Sequence, residues 1–488
     1  MSSSAPKPPV IVWLRQDLRL ADQPALAAAV ATGHPVLPVY VLDDGAHPLA
    51  PGGASRWWLH HSLTAFARDL KRRGGTLILR RGTEPGRMIE ALAHEVGALA
   101  VYWGRRYDAT EIEHDKAVKT RLGAAGIGAK SFNTSLLFEP WAIQNQSGGP
   151  YQVFTHYWRA CKSTPEPPSP WPAPATVPAP AQLPAGDDLD DWALLPTGPD
   201  WARGFGPVWQ PGEAGAAARL DRFLADRLHG YKTARDLPDR DGTSGLSPHL
   251  RFGEISPRQI WHAVRHHLAT ARRPPDGDAD TFLAELGWRE FSYSLLHYHP
   301  AIAREPLKPQ FARFPWRPDE TALRAWQRGM TGYPIVDAGM RQLWATGWMH
   351  NRVRMIVASF LIKHLLQPWQ GGERWFWDTL VDADPASNAA SWQWVAGSGA
   401  DASPFFRIFN PVLQGRKFDP DGAYVRRWVP ELAGLDRTTI HEPWTTEDLP
   451  SCGTSKAMAR TYPSPMIDLM VGRDRALTAF ASLNGKDP

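Results

Sequence analysis

A parallel, Rossmann-like α/β domain linked to a separate all-α domain is the fold class this sequence predicts. Three observations carry that reading. Short apolar segments alternate with helical ones over the first third, a proline- and alanine-rich tract runs from Ser163 to about Gly186, and helical periodicity takes over from about Glu213.

The candidate strands are Val10–Leu14, Val36–Leu42, Thr76–Arg80 and Leu99–Trp103. Between them Pro24–Ala31, Ser55–Arg73, Pro85–Val96 and Glu111–Ala124 read as helices by apolar spacing and Ala/Leu/Arg content. Strands that alternate with helices imply βαβ units, hence a parallel sheet with helices on both faces. No GxGxxG follows the first strand, so the usual dinucleotide fingerprint is absent there. The strand-end segment Arg15-Gln16-Asp17-Leu18-Arg19 reads equally as a ligand loop or as a salt-bridged turn.

Proline supplies no backbone N–H and fixes φ, so the Ser163–Gly186 tract cannot sustain a helix or a sheet interior. It is expected to be an extended linker over the surface, marking a domain boundary. Beyond it Ala214–Leu228, Pro257–Ala271, Thr281–His297, Glu320–Arg328, Pro334–Thr346, Trp348–Leu366 and Glu373–Val381 are spaced as amphipathic helices. The expected organisation is an α/β domain over 1–160, a linker over 161–212 and a helical domain over 213–488.

At 488 residues the chain is too long for one ordinary core. A hydrophobic fraction of 43% and a charged fraction of 21% are those of a soluble globular protein. No run approaches the roughly 20 apolar residues of a membrane span, and the apolar stretch after the polar Met1–Pro9 start is too short for a signal-peptide core. A cytoplasmic location is therefore expected. Cys161 and Cys452 are the chain's cysteines, which excludes a disulfide framework, a four-cysteine zinc site and an all-cysteine iron–sulfur cluster. A net charge of +4 permits DNA binding without demanding it. The 23 Trp residues exceed what core packing usually needs, so base stacking and electron relay both come into consideration.

Glu285, Trp288, Arg289 and Ser292 stand at i, i+3, i+4 and i+7, on one helix face. Trp348, Asn351, Arg352 and Met355 repeat the arrangement. A stripe mixing indole, carboxylate or amide, and guanidinium suits a polar cavity wall; a helix–helix salt bridge capped by Trp is the structural alternative. The turn Gly242-Thr243-Ser244-Gly245-Leu246-Ser247-Pro248 could cradle a pyrophosphate or be only a turn and N-cap. Asp384 before Pro385 fits an N-cap with proline at the first helical position. Asn388 and Trp392 then share one face, with small residues between them that admit a flat ligand.

The run Thr331-Gly332-Tyr333-Pro334-Ile335-Val336-Asp337-Ala338-Gly339-Met340-Arg341-Gln342-Leu343 is followed by Thr346-Gly347-Trp348-Met349-His350-Asn351-Arg352 and Phe406-Arg407-Ile408-Phe409-Asn410-Pro411. These motifs resemble the photolyase/cryptochrome family. The similarity extends from Trp13-Leu14-Arg15-Gln16-Asp17-Leu18-Arg19 to His441-Glu442-Pro443-Trp444, and in detail is most like bacterial class I cyclobutane pyrimidine dimer photolyases.

The resemblance implies FAD in the helical domain and light-driven repair of damaged DNA. By motif match Tyr231 and Thr243, Ser244, Gly245, Leu246 and Ser247 hold the ribityl and phosphate portion. Arg289 lies beside it, Asp382, Asp384 and Asn388 surround the isoalloxazine, and Arg354 pairs with Asp382. Asn388 occupies the place facing the flavin N5. Glu285, Trp288, Asn351, Arg352, Met355 and Trp394 match the lesion pocket, while Arg235 and Gln414 match positions on the DNA backbone or lesion flanks. Trp392, Trp369 and Trp316 match the family's electron chain.

An antenna chromophore in the first domain is a further implication. Folate-using relatives carry an Asn-Glu pair after the fourth strand, where this chain has Thr110-Glu111. A folate such as methenyltetrahydrofolate, a deazaflavin, a second flavin and no antenna stay open. Arg72-Arg73 and Arg80-Arg81 are antenna contacts or ordinary solvated charge.

Two other activities share the fold: a cryptochrome-type photoreceptor and a (6-4) photolyase. A chain ending soon after the family region, Asn388 and the intact lesion stripe favour dimer repair over signalling. His350 followed by Asn351 departs from the His pair common in (6-4) enzymes. The cysteine count excludes the iron–sulfur branch. A monomer that binds damaged DNA and no membrane is expected.

Overall fold

The apolar runs of the first third pair as parallel strands because β-branched and aliphatic side chains there can be covered on both faces. The computed structural model describes residues 7–47, 49–402, 406–445 and 462–483. The first domain runs β1 (Val10–Leu14), α1 (Pro24–Ala31), β2 (Val36–Asp43), α2 (Gly53–Lys71), β3 (Ile78–Gly82), α3 (Pro85–Glu95), β4 (Ala100–Gly104), α4 (Ala109–Ala124) and β5 (Gly128–Phe132). Strand order is β3-β2-β1-β4-β5, with Val10 opposite both Val36 and Ala100. All four expected strands are present within two residues at each end. The fifth was not expected: Gly-Ala-Lys-Ser-Phe carries no apolar alternation and forms the sheet edge, pairing with β4 alone.

The Arg15–Arg19 segment resolves as a salt-bridged turn. Arg15 pairs with Glu111 at 3.2 Å and Asp115 at 2.9 Å. Arg19 is fully buried, and its guanidinium donates to the carbonyls of Asp22 and Thr134 and, at 2.9 Å, of Gly253 in the helical domain. Around it Asp22 accepts from Ser256 and Arg258, and Trp58 Nε1 donates to Glu254. Buried charges survive only when paired or hydrogen-bonded, so this seam holds the two domains in one orientation. Gly253 sits here with φ 67°, and a Cβ on it would collide with the Gln16 backbone.

Helix α5 (Phe154–Ser163) precedes the proline-rich tract, and no α-helix lies between 164 and 212. The tract is laid against the first domain: Val177 N–H donates to Arg73, Val36 N–H to Pro178, and Asp187 N–H to Leu79. Val177, Trp192, Phe205 and Trp209 are buried in the core that contains β1 and α2.

The helical domain follows as α6 (Glu213–Asp226), α7 (Tyr231–Ala234), α8 (Ser247–Phe252), α9 (Pro257–Thr270), α10 (Asp276–Tyr298), α11 (Glu320–Gln327), α12 (Pro334–Thr346), α13 (Asn351–Ser359), α14 (Trp369–Thr379), α15 (Pro385–Ala396), α16 (Pro411–Phe418), α17 (Ala423–Trp428) and α18 (Leu469–Ser482). The helix expected over Trp348–Leu366 is shorter. Gly347 at φ 67° ends α12, His350 caps α13 through its side chain, and Phe360–His364 widens into a π-turn. Trp348 is therefore off the helix face assigned to it. It packs against Trp209 and under Arg354 instead.

Cys452 lies outside the described residues, and Cys161 is buried. Among the described residues no helix is long and apolar enough to cross a membrane.

Candidate functional site

Helices α8, α10, α13, α14 and α15 enclose a cavity of about 1280 Å³ in the second half of the chain. That exceeds the roughly 300–1,000 Å³ of a typical small-molecule pocket, leaving room for a dinucleotide and a second ligand.

Each wall is built by helical spacing. Glu285, Trp288, Arg289 and Ser292 all face the cavity from α10, and Asn351, Arg352 and Met355 face it from α13. From α15 come Asn388, Trp392 and Trp394. The start of α15 is the expected cap: Asp384 Oδ1 accepts from the backbone N–H of Ala386 and Ser387, and Oδ2 accepts from Tyr293 Oη at 2.6 Å.

A polar cluster lies where α8, α13 and α15 converge. Arg354 Nη2 donates to Asp382 Oδ2 at 2.8 Å, and Ser247 Oγ donates to the same oxygen at 2.6 Å. Asp382 Oδ1 is buried and has no partner. An orphaned carboxylate oxygen on a cavity wall is costly unless a ligand donor reaches it. With Arg289 and Asn388 also lining the cavity, the donor set fits a bound flavin: cations for a reduced, anionic ring and an acceptor for its N–H.

Asn388 Nδ2 donates to Glu373 Oε1 at 2.7 Å. Burial pushes the Glu373 carboxyl up to about 7, with the Asn388 hydrogen bond and Arg374 opposing the rise. Glu373 thus binds its proton more tightly folded than unfolded. Its contribution to stability is present below the ordinary 4.5 and is lost as pH rises to about 7. In thermal melts of the flavin-free protein, Glu373→Gln should gain in Tm relative to wild type across that window; a constant difference would refute the assignment.

The other half of the cavity is aromatic and charged. Arg235 Nη1 donates to Glu285 Oε1 at 2.5 Å, and Arg352 Nη2 to Asp236 Oδ1 at 2.7 Å. Burial raises the Glu285 pKa, with Arg235 pulling the other way. Trp394 Nε1 donates to the Asp401 carbonyl at 3.1 Å, fixing the ring plane.

Most of the site residues expected from sequence converge on this cavity; some do not. Ser244, Leu246 and Ser247 line it, whereas Thr243, Gly245 and Tyr231 are not among its wall residues. Tyr231 is buried against Phe223 and Phe282, with Arg235 over its ring. Gln414 sits half-buried on α16, away from the wall. Trp392 is a wall residue, Trp369 is 2% exposed in the adjacent core, and the half-buried Trp316 packs on that core. Trp326 contacts Trp392, at 6.3 Å between rings.

In the first domain Glu111 is taken by Arg15, and Arg72, Arg80 and Arg81 pair with Asp69, Glu95 and Asp44. Arg73 donates to the Pro174 carbonyl.

Several wall residues were not expected: Gln152, Val153, Arg251, His299, Lys308, Phe376 and Arg407. Arg251 had a readable signal, since it stands four residues after Ser247 on α8. Gln152 and Val153 had none, because they reach the cavity from before the linker.

A parallel α/β domain sealed to a helical domain around a flavin-compatible cavity defines a two-domain flavoprotein architecture. Two family models match the chain: the DNA photolyase domain over residues 10–176 and the FAD binding domain of DNA photolyase over 282–482. A deoxyribodipyrimidine photo-lyase from Agrobacterium fabrum is 53% identical, covering 97% of this chain and 98% of that protein. Cryptochrome-1 of Arabidopsis thaliana is 38% identical over 97% of this chain and 70% of its own length. A crystal structure described as a bacterial class III photolyase from Agrobacterium tumefaciens superposes with a TM-score of 0.94 at 52% identity, over 100% of both chains. The chain belongs to the photolyase/cryptochrome family, and its second half is that family's FAD-binding domain.

Proposed function

We propose that this protein is a deoxyribodipyrimidine photo-lyase that splits cyclobutane pyrimidine dimers in DNA under blue light. The observation that carries the reading is one cavity lined by two chemically distinct sets of residues. Asp382, Arg354, Arg289 and Asn388 suit a flavin, while Trp288, Trp394, Glu285, Arg352 and Met355 suit two covalently joined pyrimidines flipped out of the duplex.

Held by Asp382, Arg354, Arg289 and Asn388, FAD would supply light-driven one-electron chemistry to the dimer. The chain's residues do the rest. Trp288 and Trp394 offer flat apolar walls to two bases that stack poorly in DNA, so a dimer costs less to extrude than sound bases. Glu285 and Asn351 stand where pyrimidine carbonyls arrive, and a donor there stabilises the charge that develops. Arg235, with Arg352, lends positive charge toward the phosphates.

The raised Glu285 pKa supports its acting as a protonated donor. Repair by wild type is then expected to slow as pH rises through that pKa, whereas Glu285→Gln, a donor at every pH, loses that limb. An identical pH profile in the two proteins counts against the role.

The full-length match to a structure described as class III favours that branch over the class I likeness read from the sequence. The decisive test mixes purified protein with ultraviolet-damaged oligothymidylate and follows recovery of thymine absorbance. Recovery under blue light and none in darkness is expected. Tight FAD without recovery, even after full reduction, would replace this reading with a photoreceptor.

A further inference from the structure

We propose that the three-residue segment Gln152–Phe154, which precedes the linker, positions both aromatic walls of the substrate half of the cavity and so sets its specificity. Phe154 is the positioning residue. This inference rests on the reading of that half as the base-binding site.

Phe154 lies against Trp288 with ring centroids 3.8 Å apart and planes 10° from parallel. Isolated aromatic pairs prefer offset or edge-on arrangements at larger separation. Packing imposes the parallel contact. Phe154 is held edge-on by Phe291 at 6.1 Å and backed by Trp158 at 6.4 Å. Gly287 lets α10 approach Trp158 that closely, since a Cβ there would enter the indole. One face of Trp288 is therefore filled, and its other face alone is left for a base.

The same segment reaches the opposite wall. The Gln152 carbonyl accepts from the Asp401 N–H at 2.9 Å, and the Asp401 carbonyl accepts from Trp394 Nε1 at 3.1 Å. Asp401 holds a left-handed φ of 51°, a conformation a non-glycine residue adopts at a cost. Both of its main-chain polar groups are spent on this link. Gln152 and Val153 themselves line the cavity between the two walls. Trp288 and Trp394 stand on different helices, yet both are referenced to one short stretch of backbone.

Spacing between the walls decides which pair of bases fits. A covalently joined dimer is thinner and more rigid than two stacked bases, so loosening Trp288 should blunt discrimination without touching the flavin half. Phe154→Ala is expected to bind dimer-containing oligonucleotide about threefold to tenfold more weakly, the range an aromatic pair is worth. Affinity for undamaged DNA, flavin content and flavin photoreduction should stay at wild-type levels. Phe154→Tyr should restore discrimination, and Phe154→Leu, which fills volume without a ring, should not. Leu also serves if the alanine variant folds poorly. Wild-type discrimination in both Phe154→Ala and Phe154→Leu would overturn the proposal and leave the repair reading intact. A wild type that fails to tell irradiated from intact DNA would sink both together.

Discussion

Arg354→Ala should emerge from purification nearly free of flavin. Arg354 pairs with Asp382, whose side chain is 3% exposed. Removing one partner of a buried pair costs about 3–5 kcal/mol, because the remaining charge is stranded. The 23% exposure of Arg354 tempers that figure. Ser247 would be the carboxylate's remaining described hydrogen-bond partner. Translated into binding, FAD affinity should fall on the order of a hundredfold or more. The ratio of flavin to protein absorbance, followed by titration with FAD, reads the effect. Arg354→Lys should recover part of it, keeping the charge while losing the fork. Combining Arg354→Ala with Asp382→Asn should also recover part, since a neutral amide no longer strands a charge. Full flavin retention in Arg354→Ala would show that this pair does not organise the site.

Trp392→Phe should abolish light-driven reduction of oxidised flavin while sparing repair. Trp392 lies on the cavity wall at 2% exposure, next to the core that holds Trp369 and supports Trp316. Its Nε1 has no hydrogen-bond partner, so phenylalanine forfeits packing volume and no bond. A phenyl ring is far harder to oxidise than an indole and cannot pass an electron onward. Illumination with an external reductant should therefore reduce the variant's flavin no faster than background. Repair should persist once the flavin is reduced chemically. An unchanged photoreduction rate would assign the first step to another residue, with Trp326 the neighbour in contact.

Periodicity made much of this site legible. The stripe Glu285, Trp288, Arg289, Ser292 repeats at helical spacing, and one long helix does carry it to one cavity. Asp384-Pro385 was readable because an N-cap is a local device, set by side-chain reach to the next two N–H groups. Trp348 misled for the same reason: its spacing to Asn351 and Arg352 is helical, but Gly347 and the His350 cap start the helix later. Strand β5 lacked a pattern because Gly128–Phe132 carries few apolar side chains, with Ser131 its one buried residue. The pairing of Glu373 with Asn388 and the stacking of Phe154 on Trp288 join different helices, and contacts of that kind leave no mark in local spacing. The motif match supplied cofactor and substrate class, which composition alone left open between base stacking and electron relay.

The seam around Arg19 limits how relatives of this protein can be recombined. A guanidinium keeps its proton at any physiological pH and here depends on a carbonyl contributed by the opposite domain. A chimera that grafts a foreign first domain onto this helical half must bring an arginine at that spot and leave Gly253 bare. First domains are thus not freely interchangeable parts; each is keyed to its own recipient.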